Sequence, residues 1–97
     1  MIRFSYRGSF LKIFHSLDKT VQQLILFTLG EVRSYYQSER KVSYGLRVKK
    51  LYANRKEQIF EGRVNLSLRV LWTKKKDEVQ FTFIGDHDEV RNFIKGL

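Results

Sequence analysis

The 97-residue sequence has no cysteine, so it can build neither a disulfide nor a thiolate metal site. A reducing cytoplasm suits such a chain. It also lacks any long hydrophobic run. The longest apolar stretch, residues 24–29, is far too short to span a bilayer. Residues 1–10 alternate charged and apolar side chains without an apolar h-region, so no signal peptide is expected. Only two histidines occur, His15 and His87, and they lack the spacing of a metal pair. No metal and no other cofactor is assigned. The glycine-containing runs at 44–46 and 85–86 are not phosphate-loop motifs. Neither the aromatic sheet motif of an RRM nor a DNA-recognition helix pattern is present. There is no internal repeat and no low-complexity segment. The length allows one domain, 1–97, with one small core.

What is present is a globular composition, 42% hydrophobic and 14% aromatic, with a net charge of +9. The charge is unevenly placed. Residues 1–39 carry five Lys/Arg against three Asp/Glu, residues 40–76 twelve against two, and residues 77–97 two against five. The excess in the middle segment suggests a localised footprint for a polyanion. Lys74, Lys75 and Lys76 are read as solvating a hairpin turn.

Ile2, Phe4 and Tyr6 alternate with polar residues and predict a first strand. Ser9 is placed to N-cap a short helix carrying Phe10, Leu11, Phe14 and Leu17, and Asp18 to cap a longer one. Val21, Leu24, Ile25, Thr28, Leu29, Val32 and Tyr36 make one stripe on that second helix. Gly30 lies inside it, costs about 1 kcal/mol relative to Ala, and marks a place to bend or break. Residues 39–57 read as an irregular basic connection. Three strands follow near 58–64, 66–72 and 79–85, with a tight link at Asn65 and Ser67 and a polar hairpin loop at 74–78. Asp86 and Glu89 have capping-box spacing and open a last short helix with Val90, Phe93 and Ile94 on its inner face. The expected fold class is α+β, ordered β-α-α-β-β-β, with a helical hairpin on an antiparallel sheet and a short C-terminal helix.

Within these strands Phe60, Val64, Leu66, Leu68, Val70 and Trp72 share one parity, and Glu61, Arg63 and Arg69 the other. Alternate residues of a strand face opposite ways, so a hydrophobic wall backs a charged, open face. With Trp72 paired to Val79, Arg69 would stand opposite Thr82 as a solvent-facing residue, with His87 just beyond the strand end. Glu, Arg and His together can move a proton and hold a phosphate. The competing reading of Arg69 is a cross-strand salt bridge to Glu61. Tyr44 and Tyr52 are aromatic candidates for base stacking, whereas Phe60 is assigned to the core.

Three segments together carry a resemblance: residues 45–51 (Gly-Leu-Arg-Val-Lys-Lys-Leu), residues 60–72 with Phe60-Glu61-Gly62-Arg63-Val64 and Leu68-Arg69-Val70-Leu71-Trp72, and residues 84–90 (Ile-Gly-Asp-His-Asp-Glu-Val). In this order the chain resembles the RelE/ParE superfamily of toxins from type II toxin–antitoxin modules. The resemblance implies a cytoplasmic, ribosome-dependent endoribonuclease that cuts mRNA without metal, by attack of a ribose 2′-OH on the adjacent phosphate. It implies Glu61 as general base, Arg69 as the holder of the scissile phosphate and His87 as general acid. Arg63 would be a second phosphate contact, with Arg47, Lys49 and Lys50 on ribosomal RNA. Where some members place a base-stacking aromatic, this chain has Arg91, with Phe93 two further on; both join the RNA-facing set. The implied partners are a cognate acidic antitoxin, the ribosome and mRNA, with no membrane and no small-molecule cofactor. Two other readings stand beside it: a ParE-type DNA gyrase inhibitor, and a non-catalytic basic nucleic-acid-binding module.

Overall fold

A computed structural model describes residues 1–37 and 46–97. The expectations for residues 39–45, including Tyr44, lie outside the described residues. The elements are β1 (Arg3–Tyr6), α1 (Gly8–Ser16), α2 (Lys19–Gln37), β2 (Lys49–Ala53), β3 (Gln58–Arg63), β4 (Leu68–Lys75), β5 (Glu78–Asp86) and α3 (His87–Lys95). The five strands form one sheet in the order β1-β5-β4-β3-β2. The expected α+β class holds, with a helical hairpin and a terminal helix. Two features differ. The sheet is mixed, because β1 runs parallel to β5. Residues 49–53, expected within an irregular connection, form the edge strand β2, and an irregularity between Lys50 and Tyr52 obscures its alternation.

The hydrophobic wall packs against the helical hairpin. Val70 and Trp72 of β4 and Val79, Phe81 and Ile84 of β5 bury against Phe10 of α1 and Ile25, Leu29 and Val32 of α2. Trp72 Nε1 is satisfied by Tyr36 Oη at 2.9 Å, so burying the indole leaves no orphan donor. Leu66, expected in this wall, is 88% exposed, because it sits in the β3–β4 turn. Asn65 makes that turn: its Oδ1 accepts from Ser67 N and Leu68 N, both at 2.8 Å. Helix α2 runs unbroken through Gly30, where the packing of Ile25, Leu29 and Val32 overrides the local cost. Asp18 caps α2, accepting from Val21 N at 3.0 Å. Ser9 does not cap α1: the helix begins at Gly8, and the Ser9 hydroxyl donates to Thr82 O at 3.2 Å.

The β4–β5 register also differs from expectation. The hairpin is tighter than residues 74–78, with Lys75 opposite Glu78. Trp72 therefore pairs with Phe81, not Val79. A bulge follows, and Leu71 pairs with Phe83, leaving Thr82 as the extra residue. Arg69 consequently stands opposite Gly85, not Thr82. The bulge switches parity along β5, sending Phe81 and Ile84 to the main core and Phe83 to the other face, where Phe93 of α3 stacks on it at 4.6 Å.

Candidate active site

Helix α3 closes back under the end of β5 through a short, well-specified junction. Asp86 Oδ1 accepts from Glu89 N and Glu89 Oε1 accepts from Asp86 N, each at 2.8 Å, a complete capping box. Gly85 makes the close approach feasible. A Cβ there would lie 2.7 Å from Phe83 Cε2 and 2.9 Å from Glu89 Cβ. The junction sets His87 as the first residue of α3, exposed, with Arg91 one turn further on.

Between α3 and the β2–β3 edge lies an open groove of about 270 Å³, lined among others by Lys49, Leu51, Glu61, His87, Arg91 and Lys95. Lys49 and Glu61 are cross-strand partners and so share this face. Lys50 pairs with Phe60 and points to the opposite face, away from the groove. His87 Nε2 lies 3.2 Å from Arg91 Nη2. A guanidinium only donates, so at this contact Nε2 accepts and a neutral ring carries its proton on Nδ1.

Glu61 is anchored from behind: its Oε2 is 3.8 Å from Arg69 Nε. Arg69 is not the solvent-facing residue expected. It is 7% exposed, and its Nη1 donates to the carbonyls of Asn65, Leu66 and Leu68 at 3.3, 3.2 and 3.4 Å. Arg69, just after the β3–β4 turn, thus serves the carbonyls of Asn65 and Leu66 and adds to Val64 N and Asn65 N on Leu68 O. Arg63 is its direct cross-strand partner, half-buried and outside the groove lining. Arg47, at φ 45°, precedes β2 and is exposed, also outside that lining. Phe93, expected to face RNA, is half-buried and spends a ring face on Phe83.

The structure therefore gathers Glu61, His87, Lys49 and Arg91 on one groove, sets Arg69 behind Glu61, and leaves Arg47, Lys50, Arg63 and Phe93 off it. Lys95 and Leu51 were missed. Lys95 was within reach, since His87, Arg91 and Lys95 repeat every four residues and form one basic edge of α3. Leu51 sits at the irregularity that hides β2. Among the described residues no group of three or more His, Asp or Glu is arranged to hold a metal ion.

No family model and no curated protein matches the sequence. Solved structures do match in fold. The archaeal RelE–RelB complex from Pyrococcus horikoshii OT3 contains a chain 16% identical, with TM-score 0.67, covering 88% of this chain and 93% of that one. YoeB from Staphylococcus aureus, solved as a dimer, is 17% identical, with TM-score 0.61 and coverage of 89% and 97%. A chain of the Escherichia coli DinJ–YafQ complex is 11% identical, with TM-score 0.62 and coverage of 93% and 98%. The fold is thus RelE-like over nearly the whole chain.

Proposed function

We propose that the chain is the toxin of a toxin–antitoxin module and an endoribonuclease that cuts mRNA on the ribosome. The observation that carries this reading is the groove joining a carboxylate, an imidazole and three cations, in the fold shared with RelE, YoeB and YafQ. In the reaction, Glu61 takes the proton of a ribose 2′-OH as the 2′-oxygen attacks the adjacent phosphorus. The bond from phosphorus to the 5′-oxygen breaks, and His87 in its protonated form delivers a proton to that leaving oxygen. The products are a 2′,3′-cyclic phosphate and a free 5′-OH. Lys49 and Arg91 flank the groove and neutralise charge building on the phosphoryl oxygens. Phosphate draws Arg91 away from His87 Nε2, freeing that nitrogen for protonation and donation. Arg69 serves here as the residue that positions Glu61, a narrower role than gripping the phosphate itself.

The natural partner is an acidic antitoxin. The RelE–RelB and DinJ–YafQ structures are complexes of a toxin with its antitoxin. On this chain such a partner would cover the groove and Arg63, with salt-dependent association. The direct test is translation in vitro with the purified protein, mapping mRNA ends. Cyclic phosphate ends within the message support the reading, and intact message on stalled ribosomes contradicts it. DNA breaks in treated cells would favour a gyrase poison instead.

A further inference from the structure

The sheet has two ends, and the groove occupies one of them. At the other, the β2–β3 turn and the β4–β5 turn lie side by side, because β3 and β4 pair as far as Gln58 and Lys74. This end lies about 20 Å from Arg69, judging by the six-residue run to Lys75 at ~3.3 Å per residue.

Both turns are held by their own polar groups. Asn54 Oδ1 accepts from Lys56 N at 2.8 Å and Glu57 N at 3.0 Å, and Asn54 N donates to Glu57 O at 2.9 Å. Lys74 Nζ donates to the carbonyls of Lys75 and Lys76, each at 2.8 Å. Lys75 Nζ stands 3.9 Å from Glu57 Oε2 and ties one turn to the other. These contacts commit Lys74, Lys75 and Glu57 to the turns themselves. Arg55, Lys56 and Lys76 are left exposed, and no described carboxylate forms an ion pair with them. They border a shallow concavity of about 230 Å³ between the turns. Asp77 is the one other carboxylate of these turns.

Arg55, Lys56 and Lys76 on two fixed, yoked turns repel one another, and among the described residues Asp77 offsets part of that charge without pairing to any of them. A polyanion would offset the rest. The turns contain no aromatic side chain on which a base could stack. Exposed Lys and Arg without aromatics suit phosphate groups and offer no platform for base faces. We propose that Arg55, Lys56 and Lys76 form a second, non-catalytic contact that grips the phosphate backbone of folded RNA. It extends the reading of the chain as an RNA-cutting toxin: the groove meets the strand to be cut, and the turns hold the structured RNA that presents it.

The test uses the full chain and a labelled RNA hairpin with a long duplex stem, titrated across a range of KCl concentrations. The slope of log affinity against log salt counts neutralised phosphates at roughly 0.7–0.9 per contact. Arg55→Gln/Lys56→Gln/Lys76→Gln should flatten that slope by about 2. Lys12→Gln/Lys19→Gln, on the helical face, should change it by much less per charge removed. An unchanged slope in the triple variant overturns the proposal, as do equal effects per charge in both variants or no hairpin binding by the wild type. Cleavage of mRNA during translation in vitro separates this idea from the nuclease reading. A wild type that cuts while the slope stays unchanged sinks only the turn site. A wild type that grips the hairpin through the turns but never cuts sinks only the nuclease.

Discussion

The two faces of the sheet solve different problems with alternate residues of the same strands. The face toward α1 and α2 is closed and dry: Val70, Trp72, Val79 and Phe81 have no exposed surface. The face toward α3 is half-closed. Leu71 is fully buried and Phe83 stacks on Phe93, but Glu61, Arg63 and Arg69 share that face, with His87 at its rim. The first face supplies stability through apolar burial, at about 25 cal/mol per Å². The second spends part of its burial on an arginine and a carboxylate. Burial of that kind is weak evidence for stability and better evidence that geometry is being held. A short helix suffices to half-close it, because the capping box and Gly85 fix its entry.

Substitutions on the two faces should therefore separate loss of fold from loss of chemistry. The largest loss of stability is expected at Trp72. Trp72→Ala would open a cavity beside Phe60, Phe81 and Gly62 and lower unfolding free energy by about 3–5 kcal/mol, measured by denaturant titration. A smaller loss is expected from Arg69→Ala on the other face. The carbonyls of Asn65 and Leu66 and the Glu61 carboxylate would lose the Arg69 donor, while Leu68 O keeps Val64 N, at a cost of about 1–3 kcal/mol, and cleavage would fall with it. Full retention of stability there would mean that the arginine is not the anchor described. Gly62→Ala lies on the closed face, where a Cβ would stand 2.9 Å from Trp72 Cζ3 and 3.0 Å from Leu46 Cδ1. Overpacking of this kind costs about 1–3 kcal/mol without touching the groove. A normal melting curve for Gly62→Ala would show that the core yields more than the close approach suggests. The smallest change is expected from Leu66→Ser in the exposed turn, within about 0.5 kcal/mol on the same assay.

Alternation made the closed face legible, since Phe60, Val70 and Trp72 keep one parity across two strands. Asp86 with Glu89, and Asn65, announced their turns because their side chains bond locally. What stayed hidden depends on distant partners. The tighter β4–β5 hairpin and the bulge at Thr82 together set Arg69 opposite Gly85, and nothing local in the sequence signals the bulge. Strand β2 pairs through an irregularity that breaks its alternation. Gly30 looked like a weak point because propensity is local, whereas the packing that sustains α2 is not. Of the candidate site, Glu61, Lys49, His87 and Arg91 meet on the groove, yet the sequence could not distinguish Lys49 from Lys50 without the β2–β3 pairing.

The central claim is that the half-closed face carries proton-transfer chemistry on RNA. His87 tests it most directly, because it is exposed at the start of α3 and supports no core residue. The measurement is single-turnover cleavage of ribosome-bound mRNA by wild type and His87→Gln, with 3′-end chemistry mapped and folding checked by thermal melting. The account predicts an unchanged melting curve, cyclic phosphate ends for the wild type, and a rate about 10²–10⁴-fold lower in the variant. A folded His87→Gln protein that cuts at the wild-type rate would contradict it.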